Sequence, residues 1–210
     1  MNPLYRFMKF IENKFPIMML MLSLIFVSTF TLPGREIHDD KKVQFLWREN
    51  IYNEELDDTI SSIVIDTAYC RSITGPEKAA LAYVATFVGN ECWWDGNAAR
   101  DRSNLKCKIL TALDLGYQCS DTHFGYLRQW FRDDAKAMLK LEDCPTTPFT
   151  ATIQETFDSI NISVSGDVII VEFSVTGFNL REDLDWHRKE EITFRSYADK
   201  LIIEKEFSDN

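Results

Sequence analysis

The chain has 210 residues, of which 45% are hydrophobic and 27% are charged, and its formal net charge at pH 7 is −10. This composition is that of an ordinary globular protein and excludes a low-complexity or collagen-like chain. The negative charge argues against nucleic acids and anionic membrane surfaces as partners, because both are bound through Lys and Arg.

The first 33 residues carry the pattern of an export signal. An uncharged segment, residues 17–32, follows three basic residues, Arg6, Lys9 and Lys14. A basic region before an apolar one is typical of a signal peptide. The segment is also close to the length that spans a bilayer, so an uncleaved membrane anchor is the alternative. We expect residues 34–210 to be exported, to the periplasm or cell envelope, or secreted, with membrane contact only through this segment.

The exported body is predicted to be one acidic domain. Residues 34–210 contain 20 basic and 32 acidic residues, a net charge of −12. About 176 residues suffice for a single hydrophobic core. We detect no internal repeat and no linker rich in Gly, Ser or Pro.

The apolar spacing of residues 41–141 predicts a helical half. Val43, Leu46 and Trp47 mark one helical face, and a second follows the polar segment 50–58 at i, i+3, i+4 and i+7. The residues of that second face are Ile60, Ile63, Val64 and Thr67.

Four further stretches continue the helical half. Pro76 suits the first turn of a helix that continues to Val88. Residues 104–115 form the next helix and end at Gly116, a residue that tolerates the left-handed conformation after a helix. Ser120 or Asp121 caps another, and residues 134–141 form a short last one.

From residue 149 to 207 every second residue tends to be apolar, a pattern that predicts antiparallel strands. One hairpin turns at residues 165–167 and a second near 197–199. The predicted fold class is therefore α+β, with four or five N-terminal helices packed on a C-terminal antiparallel meander.

All five cysteines precede the predicted strands, and four of them lie within residues 41–141. In an exported protein, disulfides are the expected state. The order of the helices favours the pairs Cys92–Cys107 and Cys119–Cys144 and leaves Cys70 without a disulfide partner. Each bridge would add about 2–4 kcal/mol to the free energy of unfolding.

The sequence contains no catalytic motif that we can identify. His38, His123 and His187 stand outside any nucleophile pattern, and a Cys–His pair is disfavoured because exported cysteines are mostly oxidised. The cysteine and histidine spacings are not those of a metal site. We therefore predict a protein without catalytic residues, metal or cofactor.

Two segments have the composition of a binding surface, since Trp is enriched at interface hot spots. The first is Trp93, Trp94 and Asp95, whose alternative role is in the core. The second contains Phe178, Glu182, Asp183, Asp185 and Trp186.

A small, exported, acidic, disulfide-bonded chain of this kind resembles bacterial envelope proteins that neutralise toxins by binding them. This hypothesis requires a protein partner, and the acidic residues would suit a basic surface on that partner. The alternatives are an envelope structural or assembly factor and a periplasmic hydrolase.

Overall fold

The computed structural model describes residues 40–87, 105–143 and 153–209, which belong to one compact unit, Asp39–Asn210. The strands are β1 (Lys41–Asn53), β2 (Asp58–Ile65), β3 (Ile153–Ser165), β4 (Val168–Asn179), β5 (Leu184–Tyr197) and β6 (Lys200–Asp209). The described helices are α1 (Thr67–Ser72), α2 (Gly75–Phe87), α3 (Leu105–Ala112), α4 (Asp121–Trp130) and α5 (Ala135–Lys140). Of the described residues, 48% lie in strands and 30% in helices, so the sheet is the larger part.

The six strands form one sheet in the order β2-β1-β3-β4-β5-β6. Every neighbouring pair is antiparallel. The helices lie in sequence between β2 and β3, yet Val43 of β1 pairs with Ile162 of β3. The N-terminal hairpin thus belongs to the same sheet as the C-terminal meander.

The prediction of a helical half over residues 41–141 is wrong, because its first quarter is a β-hairpin. Residues 41–65 form β1 and β2, and the polar segment 50–58 is the end of that hairpin. Five of the eight residues of β2 are β-branched, which favours a strand. The period of two is hidden because β2 has apolar side chains on both faces, Ile60 and Val64 on one and Ile63 on the other. The architecture is therefore a six-stranded sheet with short helices rather than a helical half packed on a meander.

The later elements agree with the sequence prediction. Ser120 caps α4, its hydroxyl accepting a hydrogen bond from the backbone N–H of His123 at 3.2 Å. Gly116 has a φ of +78°, the left-handed conformation expected after α3. The two predicted C-terminal hairpins are β3–β4 and β5–β6.

Helix α2 is the centre of the core. It is buried along most of its length, and its Tyr83 ring lies 5.0 Å from that of Phe131 and 5.8 Å from that of Phe194 on β5. On β4 the alternate residues that face the helices are buried, Ile169, Val171, Phe173 and Val175. We call this helix-covered side of the sheet the inner face and the opposite side the outer face.

A buried carboxylate joins β1, α1 and α2. Glu77 is 6% exposed and accepts hydrogen bonds from the Tyr69 hydroxyl, from Lys41 Nζ at 3.2 Å and from Thr74 Oγ1 at 3.0 Å. Burial raises the pKa of Glu77, but the hydrogen bonds from Tyr69, Lys41 and Thr74 outweigh it and hold the pKa below its ordinary value. The ionised carboxylate therefore stabilises the contact between the hairpin and the helices.

A second buried carboxylate joins α5 to the edge of the sheet. Asp134 caps α5 through the backbone N–H groups of Lys136 and Ala137, each at 3.0 Å. Its other oxygen accepts the N–H of Ile203 on β6 at 2.7 Å. One side chain thus satisfies donors of a helix and of a strand.

The cysteines are only partly covered by the described residues. Cys70 and Cys107 have thiol side chains, whereas Cys119 is disulfide-bonded. Cys92, Cys144 and the partner of Cys119 lie outside the described residues. Because Cys92 and Cys144 lie outside those residues, the pairs Cys92–Cys107 and Cys119–Cys144 both stay predictions.

Within the three described ranges, no helix has both the length and the apolar character needed to cross a membrane. The predicted signal or anchor segment, residues 17–32, lies outside them.

Candidate interaction surface

Two hairpins end on the same side of the sheet. Strands β1 and β4 are both antiparallel to β3, so they run in the same direction, and the loops that follow them lie at one end. The described β1–β3 ladder stops at the pair Leu46 and Ile160, while β1 continues with β2 to Asn53. Residues 47–64 thus form a two-stranded arm, and residues 178–187 form the β4–β5 tip. Together we call them the hairpin-end surface.

The hairpin-end surface holds most of the exposed large apolar side chains. Ten such side chains occur among the described residues, and seven belong to this surface. They are Ile51, Tyr52, Leu56 and Ile60 on the arm and Phe178, Leu180 and Leu184 on the tip. Scattered apolar residues are normal on a protein surface, whereas a concentration at one end is a pattern typical of interaction sites.

The same surface is acidic. It contains eight acidic and two basic residues. The arm carries Glu49, Glu54, Glu55, Asp57 and Asp58, and the tip carries Glu182, Asp183 and Asp185. One of the two basic residues, Arg48, is paired with Asp158, with Nε 2.6 Å from Oδ1. The net field at this end of the sheet is therefore negative and favours a basic partner.

The two loops are built in the same way. Each begins with an Asn whose side chain accepts hydrogen bonds from following backbone N–H groups: Asn53 from Glu55 at 2.9 Å, and Asn179 from Arg181 at 3.0 Å. Such Asx turns reverse the chain locally. Each loop ends, four residues after its Asn, with an Asp at positive φ, 49° for Asp57 and 51° for Asp183. The chain thus presents two similar loops at the same end of the sheet.

The matched loops hold their apolar residues outward. Leu56 is 67% exposed and Leu180 is 68% exposed. The backbone is fixed by the Asx turn, and on the arm the Tyr52 hydroxyl also donates to Asp57. That hydrogen bond raises the pKa of Tyr52. Both leucines are therefore displayed on ordered turns.

A polar cluster fixes the arm to the sheet. Besides the Asp158 contact, Arg48 Nη2 donates to Thr156 Oγ1 at 3.2 Å. Asp158 also accepts the Thr176 hydroxyl and lies 3.5 Å from Nδ1 of His187. These contacts link the arm to β3, β4 and β5 beyond the point where the β1–β3 ladder stops. His187 lies on β5, an interior strand of the sheet.

Trp186 lies against the inner face of the tip. Its indole ring covers Gly177, and a Cβ added at Gly177 would overlap the ring. The indole Nε1 donates to Glu155 Oε1 at 3.1 Å, and Arg188 contacts both Glu155 and Glu190, at 3.1 and 2.5 Å. Burial, with the nearby Glu155 and Glu206, raises the pKa of Glu190 despite Arg188. Trp186 is thus half-buried support for the tip rather than an outward anchor.

His123 is a structural residue. It is fully buried, its Nδ1 accepts the backbone N–H of Cys119 at 3.1 Å, and its Nε2 lies 2.8 Å from Thr86 Oγ1. Since Nδ1 is an acceptor, the ring is neutral. Burial, followed by the charge of Lys106, lowers the pKa of His123 to about 4. The ring therefore serves packing between α2 and α4.

The outer face contains an open depression of about 330 Å³. Ser159, Asn161, Glu172, Lys189 and Glu191 contribute to its lining. Ser159 and Ser174 bond each other at 2.7 Å, and Glu172 is paired with Lys42 at 3.1 Å. Within the described ranges no three His, Cys, Asp or Glu residues are arranged to hold a metal ion. Ser159, Ser174 and Glu172 in this depression therefore already have polar partners.

The predicted interface residues have different positions. Phe178, Glu182, Asp183 and Asp185 are exposed together on the tip, and Trp186 lies beneath it. Trp93, Trp94 and Asp95 lie outside the described residues. Sequence reasoning missed the arm, because the polar segment 50–58 was interpreted as a break between helices. The repeated Asn-to-Asp spacing was the signal that could have revealed it.

Comparison of the chain with protein-family models, with curated proteins and with solved structures finds no match.

Proposed function

We propose that this protein is a non-enzymatic binding protein of the bacterial cell envelope, of the immunity or inhibitor type. It neutralises a toxin by covering a basic surface of that toxin with the hairpin-end surface. The observation that carries the proposal is the concentration of exposed apolar residues and acidic charge on two matched loops at one end of the sheet. Inhibition of this kind requires a complementary surface and no catalytic residue.

The chemistry of the surface suits such a partner. Apolar side chains at the centre of an interface supply most of the binding energy, while surrounding charges guide the encounter. The exposed leucines and Tyr52 would supply the binding energy, and the eight acidic residues would guide the encounter. Because the guiding charges are exposed, we expect the association rate to fall steeply as salt is raised beyond physiological strength, where screening acts over about 8 Å.

Export is the second part of the proposal. Residues 1–33 have the pattern of a signal peptide or anchor, and Cys119 is disulfide-bonded, as is usual in an oxidising compartment. Together they favour the periplasm or cell envelope as the place where the toxin is met.

The test is a competition between cells. A strain from which this protein is deleted is grown together with its parent, and the survival of the deletion strain is counted. We expect the deletion strain to survive less well than its parent, and we expect expression of the wild-type protein to restore its survival. Leu56→Asp and Leu180→Asp should rescue poorly, since each places a charge within the surface.

Leu139→Asp is the matched control. Leu139 has the same 67% exposure as Leu56 but lies on α5, a helix that contacts β6 through Lys140 and Glu206. It should rescue as well as the wild type, provided that all variants have equal melting temperatures. Equal survival of deletion strain and parent would refute the immunity function. Envelope defects of the deletion strain grown alone would instead favour an assembly factor.

A further inference from the structure

The two edges of the sheet are protected to different degrees. An exposed edge strand invites pairing with another chain, and proteins usually block it with Lys, Pro or a bulge. Edge strand β6 contains Lys200 and Lys205, and its ladder with β5 shifts register between Thr193 and Phe194. Edge strand β2 contains no Lys, Arg or Pro, and pairs with β1 over eight consecutive residues without a shift.

The unprotected edge is also accessible. Residues 58–61 of β2 are exposed, and the remaining four are half-buried. Its high content of β-branched residues favours the extended conformation that a further strand would need. Strand β2 therefore offers regular main-chain donors and acceptors on the acidic arm.

We propose that β2 accepts an extended segment of the partner protein as a seventh strand. This inference rests on the proposed function and specifies how the partner is held. Main-chain hydrogen bonds along β2 would give affinity, and side chains would select the segment. The segment should be basic where it passes Asp57 and Asp58, and β-branched or apolar where it passes Ile63 and Ile65.

Charge selects a partner protein over a second copy of this chain. In a symmetric antiparallel pairing of two β2 strands, Asp58 of each copy would face the apolar end of the other and gain no opposite charge. The two bodies, each with a net charge of −12, would also repel one another. A basic strand meets neither difficulty.

The first test uses a synthetic peptide as long as β2, with alternating Val and Thr and a Lys-Thr-Lys end. Amide hydrogen exchange is measured on the full chain with and without this peptide. In an edge strand, alternate N–H groups point away from the neighbouring strand and exchange freely. We expect the exchange of those β2 amides to slow about tenfold with peptide, while β6 amides are unchanged. Equal protection of both edges, or none at β2, would overturn the inference.

The second test adds a protecting residue. Ser61→Lys places a Lys on exposed β2, and Ser208→Lys makes the same change at an exposed position of β6. We expect Ser61→Lys to remove the peptide protection and Ser208→Lys to keep it. If both variants retain it, the peptide does not bind along β2. If the wild-type chain dimerises and Ser61→Lys abolishes the dimer, the occupant is a second copy and the inference fails.

The competition assay separates this inference from the proposed function. If wild-type protein rescues, Leu56→Asp does not, and Ser61→Lys rescues fully, the function stands and strand addition is refuted. If wild-type protein does not rescue, the function falls, and the peptide experiment alone decides whether β2 accepts a strand.

Discussion

Replacing the buried carboxylate of Glu77 tests how the N-terminal hairpin is held to the helices. In Glu77→Gln the amide oxygen can still accept from Tyr69 and Lys41, and the amide nitrogen can donate to the Thr74 hydroxyl. The change therefore removes charge more than contacts. Charged acceptors contribute about 1 kcal/mol more per buried hydrogen bond than neutral ones. The buried Tyr69 contact, the half-buried Thr74 contact and the half-exposed Lys41 together predict a loss in the free energy of unfolding. Easier burial of the neutral amide offsets part of it and leaves about 1–2 kcal/mol.

The assay is urea unfolding of the purified protein, followed by tryptophan fluorescence. Glu54→Gln, a substitution on the exposed arm loop, is the control and should change the free energy of unfolding by less than about 0.5 kcal/mol. Glu77→Ala leaves the Tyr69 and Thr74 hydroxyls without their acceptor and should lose about 3 kcal/mol.

The pH dependence supplies a second check. Since folding lowers the pKa of Glu77, the contribution of its carboxylate to stability is present above the unfolded pKa, near 4.5, and is lost as pH falls below it. The difference between wild type and Glu77→Gln should therefore be full at pH 7 and smaller at pH 3.5. A difference that is independent of pH, or no larger than that of Glu54→Gln, would refute the assigned role.

Three other predictions concern the fold. Gly177→Ala should displace the Trp186 ring, lower the free energy of unfolding by about 1–3 kcal/mol and shift the fluorescence maximum. The control Gly125→Ala changes a helix position with open space around it and should be neutral or slightly stabilising. Equal effects of the two substitutions would contradict the close packing of Trp186 on Gly177. Asp134→Ala removes a helix cap and the acceptor for β6, so the melting temperature should fall by several degrees, and an unchanged value would argue against this contact. For His123, folding lowers the pKa from 6.5 to about 4, so the stability that it contributes above pH 6.5 is lost as pH falls towards 4. Its ring resonances should not titrate above pH 5, and titration near 6.5 would show an exposed ring.

The disagreement over residues 41–65 has a physical origin. Apolar residues on both faces of β2 give a spacing that suits a helix as well as a strand. The strand conformation of β1 is fixed by β3, which is distant in sequence and pairs with β1, for example at Val43 and Ile162. The residues near β1 in sequence do not encode this pairing. It forms only after the chain between β1 and β3, which contains the helices, has closed into a loop.

The sequence by itself determined the acidic charge, the export pattern, the helices from Pro76 onward and the two C-terminal hairpins, because these depend on composition, capping residues and short-range periodicity. Only the tertiary structure decided where the two Asn-to-Asp loops lie. They are more than 100 residues apart, and β3 between β1 and β4 brings them to one end of the sheet. The hairpin-end surface exists because strand direction and strand order, which are non-local properties, place both loops at the same end of the sheet.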